Sequence, residues 1–211
     1  MGAGIDTFIF NAGDGSVTLN DAYQAKATGI NQDVMQIGAG ITAAGTIVRR
    51  DTSNNLVLTF GNGDQLTVQG YFSSGVTNQT AIVFADGTSW NYATVIGQMV
   101  LQDTSAGNTT LNGLAGINNT MIGATGDTIY AGNLNDTITA GRNNQLYAGN
   151  LNDTITAGWI NHLYAGAGFD TFIYQAGDGA VTLNDAYQTK TAGINQDVMQ
   201  IGAGKIGRAH V

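Results

Sequence analysis

Three residue types are missing from this 211-residue chain: it has no cysteine, no proline and no glutamate. Without cysteine there is neither a disulfide framework nor a thiolate site, and no compartment follows from that absence alone. Without glutamate, all fifteen acidic side chains are Asp. Helical surfaces use Glu because it is the better helix former, whereas Asp favours turns and caps. Basic residues are scarce, seven in all. Apolar runs are short: none approaches the roughly eighteen residues of a membrane span, and the first residues do not read as a charged-then-apolar signal peptide. An Asp-only chain rich in Gly, Asn and Thr is a chain of turns and strands. Its carboxylates stand on short stems near the backbone, which suits oxygen coordination of a hard cation. A solvated acidic surface is the other reading that composition allows.

With 43% apolar residues, the chain can bury a core as one large or two modest domains. The heptapeptide KIGRAHV at 205–211 departs from the internal repeat and resembles a translated sequencing-adapter read, so it is set aside. The remainder carries fifteen Asp against five basic residues, a formal charge of −10. Nucleic acid and anionic membranes are poor partners for that sign of charge, because both bind cationic surfaces.

What is present is repetition on two scales. Residues 2–40 return at 166–204 with 32 of 39 positions identical, an offset of 164. The chain therefore reads as one full unit plus the start of the next, from a longer tandem array. A shorter repeat fills 109–177, where AGNLNDTITAG occurs at 131–141 and again at 148–158. Aligned on the apolar residue after each turn, its rungs are Leu111, Met121, Ile129, Ile138, Leu146, Ile155, Leu163 and Phe172. After a first step of ten, the spacing alternates eight and nine, so two rungs make a 17-residue coil. The spacing predicts a β-solenoid in which each coil presents the same turn and strand to its neighbours. Helix is excluded by the Gly, Asn and Thr content and the lack of a 3.6-residue period.

Two residues before each rung from Met121 to Phe172 stands Asp or Asn, and the 17-residue coil sorts these into two columns. One reads Asn119, Asp136, Asp153, Asp170; the other reads Asp127, Asn144, Asn161 and then Asp178. Stacked coils lie about 4.8 Å apart. Two carboxylates at that spacing repel by roughly 3 kcal/mol at an effective dielectric near 20. A run of three should not close unaided, and a cation between neighbours would relieve it.

The nonapeptides GAGIDTFIF (2–10) and GAGFDTFIY (166–174) resemble the repeat G-G-x-G-x-D-x-U-x of RTX, or haemolysin-type, calcium-binding proteins. The resemblance implies Ca2+ held between turns of successive coils, with Asp6, Asp136, Asp153 and Asp170 as carboxylate ligands and Asp127 a weaker candidate. It implies Gly2, Gly4, Gly132, Gly149, Gly166 and Gly168 as turn formers. AGDGSVTLNDAY (12–23) and AGDGAVTLNDAY (176–187) also look like the family, which adds Asp14 and Asp178, with Asp21 and Asp185 weaker; Asp-Gly also makes tight turns without metal. The chain departs from the pattern in several places. Ala131, Ala148 and Ala165 replace the first Gly, and Leu134 and Leu151 replace a later one at which positive φ is costly for Leu. Asn144 and Asn161 replace Asp, which predicts an amide ladder without metal on that side.

Residues 41–100 resemble the haemolysin-type calcium-binding-related module, through LVLTFGNGDQLTVQGYF (56–72) and AIVFADGTSW (81–90). Alternation in this stretch predicts two strands joined by the turn at 61–64. A third strand follows at 81–85, then a turn at Asp86–Gly87 and a short helix near 92–99, with Trp90 in the core. The expected class is all-β: a short parallel β-roll of degenerate RTX nonapeptides plus an antiparallel hairpin or meander module. By region, 1–40 is a roll end and capping segment, 41–100 the related β module and 101–177 the degenerate roll. Residues 178–204 start a second capping segment, and 205–211 are the adapter-derived tail.

Catalysis finds no foothold in these residues. His162 is the one histidine outside the tail, and no Cys, nucleophile elbow, HExxH or phosphate-loop signature accompanies it. The pairs Thr137/Thr139 and Thr154/Thr156 resemble water-ordering ladders of ice-binding solenoids, but two rungs are few and outward Thr is ordinary in strands. The resemblance implies a secreted bacterial protein exported by a type I system and folded by external calcium, with neighbouring repeats of the same chain as its other partners. A surface adhesin or spacer, a toxin, and a secreted lipase or protease carrying this roll as a folding aid are the candidate parents. A metal-free structural solenoid is the remaining alternative.

Overall fold

In this computed structural model the residues described are 6–20, 33–73, 80–103, 107–175, 177–184 and 197–202. They fall into two units, Met1–Met99 and Val100–Val211.

The N-terminal unit has strands β1 (Thr7–Phe10), β2 (Ser16–Asn20), β3 (Val34–Ile37), β4 (Ile47–Arg50), β5 (Leu56–Thr59), β6 (Gln65–Gln69), β7 (Ala81–Phe84) and β8 (Ser89–Trp90), followed by helix α1 (Tyr92–Gln98). One sheet runs β1-β3-β7-β8, parallel except for the last pair. The other strands order as β4-β5-β6-β2, with two antiparallel hairpin pairings and a parallel β6–β2 pairing. Alternation sets which side is buried: Leu56, Leu58, Leu66 and Val68 face inward while Val57 and Thr67 do not. Trp90 is buried with its ring 4.7 Å from Phe84 in an edge-on contact. Helix α1 starts where the Asn91 side chain accepts the Thr94 N–H at 2.9 Å, and it buries Val95.

The C-terminal unit consists of strands β9 (Val100–Gln102), β10 (Thr110–Asn112), β11 (Thr120–Thr125), β12 (Thr128–Gly132), β13 (Thr137–Arg142), β14 (Gln145–Asn150), β15 (Thr154–Ala157), β16 (His162–Ala167), β17 (Thr171–Tyr174), β18 (Thr182–Asn184) and β19 (Val198–Ile201). From β9 to β19, odd-numbered strands pair in order in one parallel sheet; β10 to β18 pair in order in a second. The 17-residue coil is thus one strand in each sheet: Thr137 pairs with Thr154, and Leu146 with Leu163. All eight rungs named from the sequence, Leu111 through Phe172, lie in one buried cluster. Each such side chain contributes about 1.5–3 kcal/mol by leaving water. Three alanines face the same interior: Ala131, Ala148 and Ala165 are buried beside Ile129, Leu146 and Leu163. Outside, Tyr130, Tyr147 and Tyr164 stack across β12, β14 and β16 with centroids 4.7 and 4.6 Å apart. Among the described residues no helix is long and apolar enough to cross a membrane.

Coil-to-coil approach is what the glycines permit. A Cβ on Gly149 would lie 1.6 Å from the Gly132 carbonyl oxygen, and one on Gly166 would lie 1.8 Å from that of Gly149. Leu151 adopts φ 65°, the left-handed region that Leu rarely visits.

Candidate metal centre

The aspartates of the first column sit at the entry to successive strands of one sheet, each one residue ahead of its first strand residue. That position lets a side chain reach across to the backbone of the coil before it. Oδ1 of Asp136 accepts the Asn119 N–H at 2.6 Å, Oδ1 of Asp153 accepts that of Asp136 at 2.8 Å, and Oδ1 of Asp170 accepts that of Asp153 at 2.9 Å. All three aspartates are buried. One oxygen of each carboxylate is therefore committed to a charge-assisted bond that ties coil to coil.

The other oxygen is the anomaly. Oδ2 of Asp136 and Oδ2 of Asp153 are buried and receive no hydrogen-bond donor, as is Oδ2 of Asp6 in the N-terminal unit. A buried anionic oxygen without a donor is costly, and the group responds by holding a proton or accepting a cation. Burial pushes the Asp136 carboxyl above the ordinary carboxylate range. For Asp153, burial and then the neighbouring charges of Asp170 and Asp136 push it up to about 7. Spare hard oxygens, repeating at strand spacing, have the chemistry of a calcium or magnesium donor set. Among the described residues no three His, Asp or Glu side chains converge on one point, so carbonyls or water would have to complete any shell.

The second column is built differently. Both oxygens of Asp127 are satisfied, Oδ1 by the Thr109 N–H at 3.1 Å and Oδ2 by the Ala124 N–H at 2.7 Å. Asn144 and Asn161 use Oδ1 to accept the N–H of Asp127 and of Asn144, both at 2.7 Å. Their amides donate to the carbonyls of Ala124 at 3.2 Å and Gly141 at 2.9 Å. These bonds join successive coils on that side as a ladder of side-chain amides. Asn119 closes the first column the same way, with its amide on the carbonyls of Leu114, Ile117 and Ala131.

Asp178 does not continue the second column. Strand β18 pairs with β16 at an offset of 20, Thr182 opposite His162, so three extra residues carry Asp178 into a turn. There its Oδ2 accepts the Gln175 N–H at 2.5 Å. Asp14 does the same in the first copy, accepting the Asn11 N–H at 2.8 Å. Gly132, Gly149, Gly166 and Gly168 all have positive φ at the coil corners; Gly2, Gly4, Asp21 and Asp185 lie outside the described residues. His162 is exposed on its strand.

Two aspartates extend the first type of column beyond the ones named from sequence. Oδ1 of Asp33 accepts the Asp6 N–H at 2.8 Å, and Oδ1 of Asp197 accepts the Asp170 N–H at 3.0 Å. Their signal was present: Asp33-Val34-Met35 and Asp197-Val198-Met199 repeat the Asp-x-apolar spacing of Asp136-Thr137-Ile138, Asp153-Thr154-Ile155 and Asp170-Thr171-Phe172. Asp64 is a further acidic residue with a structural task. Its Oδ2 accepts the Gly13 N–H at 2.6 Å and its Oδ1 the Gly15 N–H at 3.2 Å, which seats the Asp14 turn on the β5–β6 hairpin.

No curated protein matches this chain. Residues 55–94, which hold the β5–β6 hairpin with Asp64, the β7–β8 pair and the start of α1, match the family model of the haemolysin-type calcium binding protein related domain, so the hairpin module is of that kind.

Proposed function

We propose that the C-terminal unit binds calcium along the Asp136–Asp153–Asp170 column and that the ion completes its fold. The observation that carries this reading is the pair of buried Oδ2 atoms on Asp136 and Asp153 that receive no donor. Asp136 and Asp153 offer two such carboxylates on neighbouring coils, and a divalent cation offsets the burial and, after it, the charges of Asp170 and Asp136 that push the Asp153 carboxyl up to about 7. The domain matched at residues 55–94 is, by its description, related to haemolysin-type calcium binding protein, which supports calcium over other hard cations. Asp6 with Asp33 is a second place of the same kind. Asp127, with both oxygens satisfied, is a poorer ligand.

In this reading the chain is a non-catalytic, secreted repeat region. Low cytosolic calcium leaves the column repelling itself, and millimolar calcium outside the cell closes it. The 164-residue repeat favours a surface adhesin or spacer as its setting. The test is circular dichroism of the full chain titrated with calcium, with magnesium as control. A calcium-specific gain in β signal or in melting temperature is expected near millimolar concentration, absent from an Asp136→Asn, Asp153→Asn, Asp170→Asn variant. A chain whose signal and melting point ignore calcium would leave a structural solenoid that needs no ion.

A further inference from the structure

Besides the aspartate columns, the C-terminal unit repeats one reactive side chain on its outer surface. Parallel, in-register pairing sets Tyr130 opposite Tyr147 and Tyr147 opposite Tyr164. The residue before each of them, Ile129, Leu146 and Leu163, lies in the core, so strand alternation turns every tyrosine outward. The rings stack nearly parallel, with centroids 4.7 and 4.6 Å apart and planes inclined by 13° and 4°. Tyr130 is 45% exposed, and Tyr147 and Tyr164 are half-buried. The register continues to Asn112 beyond Tyr130 and to Asn184 beyond Tyr164, so the column holds three phenols, with Tyr147 in the middle.

Among the described residues one other pair of tyrosines is in ring contact, Tyr71 with Tyr92 in the N-terminal unit. Those rings are farther apart, 5.8 Å between centroids, and inclined by 31°. Tyr71 is also 0% exposed, beyond the reach of any reagent in solution. The outer column alone combines contact, near-parallel rings and access.

We propose that this column is a site of oxidative cross-linking, at which a peroxidase using hydrogen peroxide joins Tyr147 to Tyr130 or to Tyr164 as dityrosine and staples neighbouring coils of one molecule. Two phenols each lose one electron and the hydroxyl proton, and the unpaired electron spreads onto the ring carbons beside the oxygen, the Cε atoms. The two radicals form one Cε–Cε bond. Each joined carbon then gives up its hydrogen as a proton while its oxygen takes one up, which restores both phenols. The pair has lost two hydrogen atoms, and one peroxide is reduced to two waters. Tyrosyl radicals on separate molecules must meet by diffusion, whereas here the strands hold the reacting rings in contact. Surface side chains rotate fast enough to bring the Cε atoms from stacking to bonding distance. The link ties residues seventeen apart, across β12 and β14 or β14 and β16, and removes loop entropy from the unfolded chain as a disulfide does. It depends on strand register and needs no bound ion.

The test treats the full chain, in calcium and at low protein concentration, with a haem peroxidase and hydrogen peroxide. The monomer is then isolated under denaturing conditions, and its dityrosine fluorescence and tryptic peptides are measured. Arg142 lies between Tyr130 and Tyr147, so a link between these two joins peptide 51–142 to peptide 143–190. A Tyr147–Tyr164 link instead leaves 143–190 two hydrogens light, and fragmentation places it. Tyr147→Phe keeps a ring in the stack but removes the hydroxyl shared by both pairs, and it should abolish dityrosine in the monomer. Tyr92→Phe should leave the yield unchanged. Refolded in the same calcium buffer, the oxidised parent should melt higher than Tyr147→Phe given the same oxidation, which controls for damage elsewhere. Dityrosine found only between molecules, or surviving Tyr147→Phe, would overturn the proposal. So would a monomer without dityrosine, or equal melting temperatures.

Discussion

The main-chain N–H of Asp136 donates to Oδ1 of Asp153, seventeen residues later and 2.8 Å away. The same carboxylate leaves its Oδ2 buried without a donor. One side chain therefore both joins two coils and carries a buried oxygen that receives no donor. Replacing Asp153 by Asn keeps the Oδ1 acceptor and turns the bare oxygen into a donor, the arrangement Asn119 already uses in this column. In chelator, Asp153→Asn should be more stable than the parent by about 1–3 kcal/mol, the usual cost of a buried unsatisfied polar group. In saturating calcium the order should shrink or reverse. Urea unfolding under both conditions measures the difference.

Proton binding should mimic the ion. The folded chain holds the Asp153 proton up to about pH 7, above the ordinary carboxylate value of 3.8. Between these limits the folded state binds more protons than the unfolded one, so calcium-free stability falls as pH rises from about 4 to about 7. Above that window the contribution of this group is fully lost. The urea midpoint in chelator at pH 4.5, compared with pH 7.5, should drop more for the parent than for Asp153→Asn. Equal slopes would mean that Asp153 is ionised throughout.

Gly149 is where two coils touch most closely. An alanine there would place its Cβ 1.6 Å from the Gly132 carbonyl oxygen, at φ 116°. No side-chain rotation relieves a contact made by backbone on both sides. Gly149→Ala should cost about 3 kcal/mol or more, seen as a lowered melting temperature. Alanine at Gly63, which has nothing within 4 Å, is the milder comparison.

The reverse substitution should help at Leu151. This residue is 49% exposed and holds φ 65°, so glycine forfeits little burial and removes a left-handed strain of about 1–2 kcal/mol. Leu151→Gly should raise the melting temperature or leave it unchanged after the entropic cost of glycine. A marked fall would show that the Leu151 side chain packs more than its exposure implies.

Much of this fold was legible because three periods coincide in the sequence. The rung spacing of eight and nine, the 17-residue coil and the Asp- or Asn-x-apolar triplet all place the same residues, from Met121 to Phe172, in one core. The hairpin around 61–64 and the helix after Asn91 were marked by turn and cap chemistry. What was missed lies where a period is interrupted. Asp197 follows Asp170 by 27 residues and Asp33 follows Asp6 by the same distance; an excursion that long hides the column from a search for 17. Asp178 was assigned to the second column for the converse reason, since the offset of 20 before β18 was counted as a regular coil. The role of Asp64 depends on Gly13 and Gly15, about fifty residues away, and no local pattern announces such a pairing.

The aspartate ladder is polar in the sense that a filament is polar. Every carboxylate reaches back to the coil before it, from Asp197 to Asp170, to Asp153, to Asp136 and to Asn119. A newly added coil therefore completes its predecessor and waits for its successor. Cutting the roll on its N-terminal side strips donors from a carboxylate, which a cation can replace. Cutting it on its C-terminal side strands an N–H, which no cation can replace. The two ends of such a roll accordingly need different terminators, a positive charge at one and an acceptor at the other.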